Sequence, residues 1–142
     1  MKAVVIGCGR VGSAVAKRLA ADGWDVTAVD ESDDALIRLG THWAGGFILG
    51  HGMDTAVLEQ AGVDEADAAV VSTNGDNTNL VIGQVLRKRY GIKTVVVRVL
   101  DPARAAFYAD RGLDTVCPTQ IAISLLLEKM QARAPRPAEA AS

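Results

Sequence analysis

The stretch VVIGCGRVGSAVAKRL, residues 4–19, constrains the fold most, because an apolar run leads directly into three glycines with the spacing G-x-G-x-x-G. In this pattern the first glycine permits a tight turn, the second lets the backbone approach a pyrophosphate, and the third allows a helix to pack closely on its strand. Free N–H groups at the start of that helix then face the phosphates. The stretch therefore predicts a phosphate-binding turn, with ligand contacts from Gly7, Cys8, Gly9, Arg10, Val11 and Gly12.

Apolar runs and amphipathic stretches alternate six times along the chain. This pattern predicts strands near residues 3–6, 26–30, 46–49, 68–72, 94–99 and 114–117, with helices near residues 11–22, 33–40, 54–61, 77–90, 102–111 and 119–131. The strand runs are continuous rather than alternating, which is typical of strands covered on both faces. We predict an α/β fold, a Rossmann-like doubly wound parallel sheet of six strands in the order 3-2-1-4-5-6.

The length of 142 residues fits a single domain. Residues 1–130 are predicted to form that domain. Residues 131–142 contain two prolines and no apolar period, so they are predicted to be a disordered tail.

An acid follows the glycines at the distance expected for a dinucleotide site. Asp30 ends the second predicted strand, where its carboxylate can accept hydrogen bonds from both ribose hydroxyls. The same charge would repel a 2′-phosphate, which disfavours NADP. Glu31 is placed in the same site. The alternative is that both acids belong to the N-terminus of the second helix and cap it.

Other candidate ligand contacts follow the third, fourth and fifth strands. His51, within GHGMD, could stack on or hydrogen-bond the base; alternatively it is an exposed loop residue and Asp54 caps the next helix. Thr73 and Asn74 follow the fourth strand at the topological switch point and should face the ligand. Asp76 is predicted to cap the fourth helix. Arg98 would be costly to bury unpaired, so it needs an acid or a phosphate.

Composition excludes several classes of function. Lys+Arg 15 against Asp+Glu 17 leaves no basic excess for nucleic acid. The N-terminus has no signal peptide and no apolar run is long enough to cross a bilayer, so we expect a cytoplasmic protein. Cys8 and Cys117 are predicted to be free thiols, and neither they nor the histidines have metal-site spacing. No residue is predicted to be catalytic, and Arg10 is alternatively a solvated surface residue.

The last predicted helix indicates assembly. In residues 121–130, IAISLLLEKM, seven of ten side chains are apolar and they occupy nearly the whole circumference of a helix. The last helix of an open sheet has its own sheet on only one side. We therefore predict a homodimer or larger ring formed through helix 119–131, or a missing lobe that covers this helix.

Several stretches together resemble the N-terminal domain of regulators of potassium conductance (RCK), the TrkA-type nucleotide-binding module. They are GCGRVG, Asp30, LEQAGVDEADAAVVSTNGDNTNL, VRVLDP followed by Tyr108, and GLDTVCPTQIA, and they span almost all of residues 1–130. The resemblance implies a cytoplasmic regulatory subunit that binds NAD(H) or an adenine nucleotide (ATP/ADP) and passes a conformational change to a membrane potassium transporter subunit. The resemblance also implies that Gly7, Gly9, Arg10, Gly12, Asp30, Thr73, Asn74 and Arg98 line the nucleotide site.

Three departures from that family pattern matter. His51 stands where the family commonly has an acid, and Pro118-Thr119 stands where many relatives have Pro-Glu, a glutamate associated with a cation, so no metal is predicted. Residues 1–142 leave no room for the C-terminal ligand-sensing lobe that is usual in the family, so we expect either a standalone domain or a truncated form of a longer chain. The alternatives to a regulatory nucleotide sensor are a small NAD-dependent oxidoreductase and a scaffold that binds no ligand; no positioned acid or base supports the enzyme.

Overall fold

The computed structural model describes residues 1–135. The chain alternates strands and helices, and a short 3-10 helix, Val63–Glu65, precedes the fourth strand. The strands are β1 (Lys2–Ile6), β2 (Asp25–Asp30), β3 (Gly46–Leu49), β4 (Ala68–Val71), β5 (Thr94–Arg98) and β6 (Asp114–Val116). The helices are α1 (Arg10–Ala21), α2 (Asp34–Leu39), α3 (Thr55–Gln60), α4 (Asp76–Lys88), α5 (Pro102–Ala109) and α6 (Pro118–Arg133).

The six strands form one parallel sheet in the order β3-β2-β1-β4-β5-β6, which confirms the predicted topology. β1 lies at the centre, where Val5 pairs with Ala28 of β2 on one side and with Val70 of β4 on the other. The chain runs outward to β3 and then returns to β4, so the strand order reverses between β1 and β4. The carboxyl ends of these two strands flank the crevice in which doubly wound proteins place their ligands.

Both faces of the sheet are covered, which explains the continuous apolar strand sequences. A larger buried cluster includes Leu58 of α3, Ile82 of α4 and Ala105 of α5. A smaller cluster on the other face includes Ala16 of α1 and Leu39 of α2. Since burying one such aliphatic side chain contributes roughly 1.5–3 kcal/mol, these two layers hold β1 and β4 rigidly in place.

Two local expectations differ from the structure. Helix α6 continues to Arg133, past the predicted boundary at residue 131, because the sequence up to residue 133 retains helix-forming side chains and the prolines follow it. Residues 136–142 of the predicted tail lie outside the described residues. Asp76 does not cap α4; its carboxylate instead accepts hydrogen bonds from the backbone N–H groups of Leu100 and Asp101, at 2.8 and 3.0 Å.

Helix α6 has a different environment from the other long helices. None of its residues is buried, and Leu126 and Met130 expose 65% and 67% of their surface. The predicted apolar circumference is therefore uncovered by the rest of residues 1–135. Among the described residues, no helix combines the length and hydropathy needed to cross a bilayer.

Candidate functional site

A cavity of about 370 Å³ opens at the carboxyl ends of β1, β2 and β4, beside the residues that follow β3. Seven of the predicted ligand contacts line it. They are Gly7, Gly9, Asp30, Glu31, His51, Thr73 and Asn74. Cys8, Arg10, Val11, Gly12 and Arg98 do not line the cavity.

The glycine loop, residues 7–9, forms the floor between β1 and α1, and its glycines have different reasons for being there. Gly7 has φ +89°, and a Cβ would lie 2.5 Å from the carbonyl of Ser72. A Cβ on Gly12 would overlap the carbonyl oxygen of Gly7. Both glycines are required by the packing of the chain itself.

Gly9 is the exception, because nothing in the protein requires it. Its φ is −72° and a Cβ would meet no atom within 4 Å. Gly9 is also the N-cap residue of α1, where no side chain caps the helix and no acid lies in the first turn. The loop thus leaves an open space in front of uncapped N–H groups and the positive end of a helix dipole, an arrangement that suits phosphate.

The carboxylate of Asp30 is fixed at the side of this loop. One oxygen accepts the backbone N–H of Cys8 at 2.7 Å and the other accepts that of Ser32 at 2.9 Å. These bonds orient the carboxylate and still leave lone pairs on both oxygens for ribose hydroxyls. Asp30 holds the turn before α2, but it does not cap that helix; the hydroxyl of Ser32 accepts the N–H of Asp34 at 3.2 Å.

Cys8 is the middle residue of the glycine loop, and its side chain is fully buried. Burial, followed by the charge of Asp30, raises the pKa of its thiol from 9.0 to about 12, although hydrogen bonding with the backbone of Val29 and the charge of Arg38 act in the opposite direction. The thiol therefore stays neutral near pH 7 and serves as a small packing group.

Arg10 and Val11 occupy the first turn of α1, and both are exposed outside the cavity. Among the described residues the guanidinium of Arg10 makes no ion pair. The structure thus places Arg10 on the surface beside the phosphate cradle, so its predicted contact with a ligand remains a prediction.

His51 and Glu31 close the outer rim of the cavity. His51 Nε2 lies 3.0 Å from Glu31 Oε1, and Nδ1 accepts the backbone N–H of Met53 at 3.1 Å. Asp54 caps α3 by accepting the N–H of Ala56 at 2.9 Å, as the alternative interpretation of this segment predicted. His51 also lines the cavity, and its contact with a base stays a prediction.

A buried amide holds the wall formed by β4. Asn79 of α4, only 1% exposed, accepts the N–H of Thr73 at 2.9 Å and donates to the carbonyl of Thr73 at 3.1 Å. It also donates to the carbonyl of Arg98 at 2.9 Å and accepts the hydroxyl of Thr73. Thr73 is therefore clamped by its own backbone groups, which sets the direction of the wall.

Arg98 makes no ion pair with an acid among the described residues, and its contact with a phosphate stays a prediction. Its Nη2 donates to the carbonyl of Thr73 at 2.6 Å, while its Nε is buried without a partner among the described residues. Arg98 thus supports the cavity wall from behind.

Sequence reasoning missed several lining residues, of which Arg38 and Ser72 matter most. Arg38 of α2 reaches back to the glycine loop, and its Nε donates to the carbonyl of Cys8 at 3.0 Å. No motif marks it, because its reach depends on where α2 lies. Ser72 directly follows β4, a position that could have marked it; its hydroxyl is buried and has no hydrogen-bond partner within residues 1–135. Ser32 and Thr78 also line the cavity.

Within the described part of the chain, no three His, Cys, Asp or Glu side chains lie together in a group that could hold a metal ion.

Residues 3–119 match the family model described as the TrkA-N domain. One relative is the Trk system potassium uptake protein TrkA of Streptomyces coelicolor, 35% identical over 130 residues that cover 92% of this chain and 58% of the relative. Another is the Trk system potassium uptake protein TrkA homolog of Methanothermobacter thermautotrophicus, 31% identical over 133 residues, 94% of this chain and 61% of the relative. The chain thus spans less than two thirds of these relatives.

Solved structures share the fold. The TrkA-N domain of the inner membrane protein ybaL from Escherichia coli has a TM-score of 0.79 at 18% identity, covering 91% of this chain and 96% of that one. GsuK bound to ADP has a TM-score of 0.79 at 22% identity, covering 94% and 34%. The GsuK channel bound to NAD has a TM-score of 0.77 at 22% identity, covering 92% and 23%.

Proposed function

The chain belongs to the TrkA-N domain family, and on that basis we propose that it is the nucleotide-binding regulatory domain of a potassium uptake system. Its ligand is NAD(H) or an adenine nucleotide, ATP or ADP. It acts as a sensor and not as an enzyme, and passes the change caused by ligand binding to a membrane potassium transporter subunit. In this role it is cytoplasmic and lies at the inner face of the membrane through that partner.

The observation that carries this proposal is the open space at Gly9. The packing of the chain requires Gly7 and Gly12, whereas a Cβ on Gly9 would meet no atom within 4 Å, in front of an uncapped helix N-terminus. A glycine that the fold does not need is explained by a ligand that does need it. Asp30, fixed by two backbone N–H groups, supplies the acceptor for the adjoining sugar.

Relatives and neighbours support the choice of ligand and partner. The curated relatives are named for potassium uptake, and neighbours of the same fold were solved with NAD and with ADP. The common part of those two ligands is an adenosine carrying a diphosphate. The glycine loop, Asp30 and the rim residue His51 offer partners for its phosphates, ribose and base, respectively.

A regulatory domain needs a surface through which to act, and we assign that role to α6. Six large apolar side chains of this helix are exposed, and in solution they need a cover. A second copy of the chain, forming a homodimer or larger ring through helix 119–131, would bury them. Ligands that favour one arrangement of that contact then shift the population of arrangements by their difference in affinity.

Ligand binding can be tested with a panel of NAD, NADH, ATP, ADP and NADPH in thermal unfolding and calorimetry. A ligand that binds the folded chain should raise the Tm by about 5–10 °C at a concentration of about 100 Kd. Asp30→Asn should weaken binding by about tenfold, since it loses a charge-assisted acceptor. Asp33→Asn is the matched control, because that carboxylate makes no capping bond. Absence of binding by every compound would refute the proposal.

The regulatory step can be tested separately. Arg10, next to the uncapped end of α1, is expected to distinguish ligands that differ in charge, either in the phosphates, as ATP and ADP do, or in the nicotinamide ring, as NADH and NAD do. Arg10→Ala should then bring the affinities for the two members of a pair closer together, whereas Lys17→Ala, one to two turns further along the exposed side of α1, should leave their ratio unchanged. An unchanged ratio in Arg10→Ala would contradict this mechanism.

The link to transport requires cells whose potassium uptake depends on this protein. Asp30→Asn should change their uptake of potassium from a medium with little of it, while Asp33→Asn should behave as the parent protein does. Equal uptake by cells carrying either variant would argue that the nucleotide site does not regulate transport.

A further inference from the structure

Arg38 brings a positive charge to the side of the cavity where the ribose is proposed to lie. It comes from α2, and its Nε donates to the carbonyl oxygen of Cys8 at 3.0 Å. The N–H of the same residue donates to Asp30 at 2.7 Å. The guanidinium and the carboxylate therefore flank one residue of the glycine loop, with an opposite charge on each side.

These two charges do not neutralise each other by contact. Within residues 1–135, Arg38 makes no ion pair at 4.0 Å or less, and its two terminal nitrogens make no hydrogen bond. Asp30 uses its oxygens for backbone N–H groups instead. The guanidinium is thus anchored by one nitrogen, its other two nitrogens have no hydrogen-bond partner within residues 1–135, and the residue lines the cavity.

The other charged groups of the cavity leave this role to Arg38. Glu31 and His51 are paired with each other at 3.0 Å. Of the described side chains that line the cavity, Arg38 is the one with a permanent positive charge. Its two remaining nitrogens form a planar fork of donors, the geometry that matches two oxygens of a phosphate group.

From this juxtaposition we propose that the cavity accepts adenosine dinucleotides whose ribose carries a 2′-phosphate, the NADP(H) class, in addition to those with a free ribose. The inference rests on the proposed nucleotide site and extends its range of ligands. A 2′-hydroxyl is accepted by Asp30, whereas a 2′-phosphate is held by the fork of Arg38. The expectation from sequence that Asp30 disfavours NADP did not include this arginine, which no motif revealed.

The balance between the two charges predicts the ratio of affinities. Asp30 repels a 2′-phosphate at short range, and its bonds to Cys8 and Ser32 keep the carboxylate in place. The guanidinium of Arg38, on the other side of Cys8, attracts the same phosphate and offsets that repulsion. NAD and NADP should therefore bind to the parent protein with Kd values within about tenfold of each other.

The test is calorimetric titration of the full chain with NAD and with NADP. Arg38→Ala should weaken NADP binding by about tenfold or more and change NAD binding by less than about threefold. Arg38→Lys keeps the charge but loses the fork, and should retain part of the NADP affinity. Arg18→Ala is the matched control, since it removes the same charge from an exposed pair with Asp22 on α1.

The outcomes distinguish a role of Arg38 in ligand specificity from a role in holding the glycine loop. Selective loss of NADP binding in Arg38→Ala, with Arg18→Ala unchanged, supports the proposal. Binding of NAD but not NADP by the parent protein overturns it and leaves the nucleotide site intact. Equal loss of both ligands in Arg38→Ala also overturns it, because Arg38 would then only position the glycine loop. Failure of both ligands to bind the parent protein refutes the proposed site and this inference with it.

Discussion

The cavity wall and helix α6 differ in whether their side chains find partners within the chain. In the wall, polar groups are bound within the chain: Asp30 accepts two backbone N–H groups and Asn79 clamps Thr73 from both sides. In α6 the chain leaves large apolar side chains uncovered, with Leu126 and Met130 about two thirds exposed. The cavity wall is therefore held by contacts within residues 1–135, whereas those residues leave the apolar side chains of α6 uncovered.

The proposed sensing role would divide recognition of the ligand and transmission of a change between these two regions. A site that recognises a ligand gains from groups already held in place, since ordering them on binding would cost affinity. A surface that transmits a change gains from having more than one arrangement of similar free energy. Substitutions in the wall should then alter stability and ligand affinity at any protein concentration, and substitutions in α6 should act through association.

The glycines give the largest expected effect and test whether the cavity is encoded by the chain itself. Gly12→Ala forces a Cβ onto the carbonyl oxygen of Gly7, so it should lower the free energy of unfolding by more than about 4 kcal/mol or prevent folding. Gly9→Ala places its Cβ in open space and should change stability by less than about 1 kcal/mol while weakening nucleotide binding at least tenfold. Urea unfolding and calorimetry measure both. Normal nucleotide affinity in Gly9→Ala would show that the ligand does not lie against the glycine loop.

The two cysteines report on the two regions by their reactivity. Cys8, fully buried under the glycine loop, has a thiol pKa raised from 9.0 to about 12, while Cys117 is partly exposed at the start of α6. The raised pKa lowers the thiolate fraction of Cys8 at pH 8 by about a thousandfold. Iodoacetamide should alkylate Cys117 in the folded protein and both cysteines in urea, as peptide mass spectrometry would show. Rapid alkylation of native Cys8 would mean that the loop opens readily.

The same thiol makes stability depend on pH. Since its folded pKa lies above its unfolded value, the neutral thiol contributes stability that is fully present below pH 9 and is lost as the pH rises towards 12. The free energy of unfolding should fall by about 4 kcal/mol over that interval from Cys8 alone. Cys8→Ala removes this part of the slope, so the difference between the two proteins isolates it. Parallel pH profiles would contradict the shift.

Helix α6 provides the opposite test, one that depends on protein concentration. Leu126→Glu places a charge where an apolar side chain is proposed to be buried by a second copy, and should weaken association by roughly 100-fold without lowering the Tm of the monomer. Ile37→Glu, on an 80% exposed residue of α2, is the control and should associate normally. Sedimentation equilibrium over a range of concentrations measures the effect. A parent chain that stays monomeric throughout would remove α6 as the contact.

Substitution of Asn79 tests the cavity wall and should have an effect of intermediate size on stability. Asn79→Ala removes the clamp on Thr73 and leaves buried backbone groups without partners, so it should lower the free energy of unfolding by about 2–3 kcal/mol. Asn77→Ala, on the exposed side of the same helix, should cost less than about 0.5 kcal/mol. Chemical unfolding compares them. Equal effects of the two substitutions would show that the wall does not depend on this amide.

Local spacing was sufficient to predict the sheet and half of the cavity. The strand order and the positions of Gly7, Gly9 and Asp30 follow from a motif whose members lie within one β-α-β unit, so the sequence contains their geometry. The contacts of Arg38 and Asn79 depend on how α2 and α4 are placed against other elements. No periodic pattern encodes that placement, which is why both residues were missed.

The same limit explains one wrong local assignment, the Asp76 cap, and one partner that the sequence did not reveal. Asp76 has the sequence of a helix cap, but the loop after β5 lies within reach and offers two backbone N–H groups. Arg98 was expected to need an acid or a phosphate, but the carbonyl of Thr73 lies beside it. In each case a backbone group from a distant segment competes with the local partner, and tertiary structure decides.

Ser72→Ala has the smallest expected effect, and the sign of its effect on stability tells whether the hydroxyl serves the fold or the ligand. Its hydroxyl is buried beside the cavity and has no partner within residues 1–135, so Ser72→Ala should leave the free energy of unfolding unchanged or raise it by about 1 kcal/mol. A bound nucleotide would supply a partner, and the same substitution should therefore weaken binding severalfold. Ser124→Ala, on the exposed surface of α6, should change neither quantity. Unchanged or higher stability together with weaker nucleotide binding would show that the Ser72 hydroxyl serves the ligand. A loss of stability with unchanged affinity would show that the hydroxyl serves the fold alone.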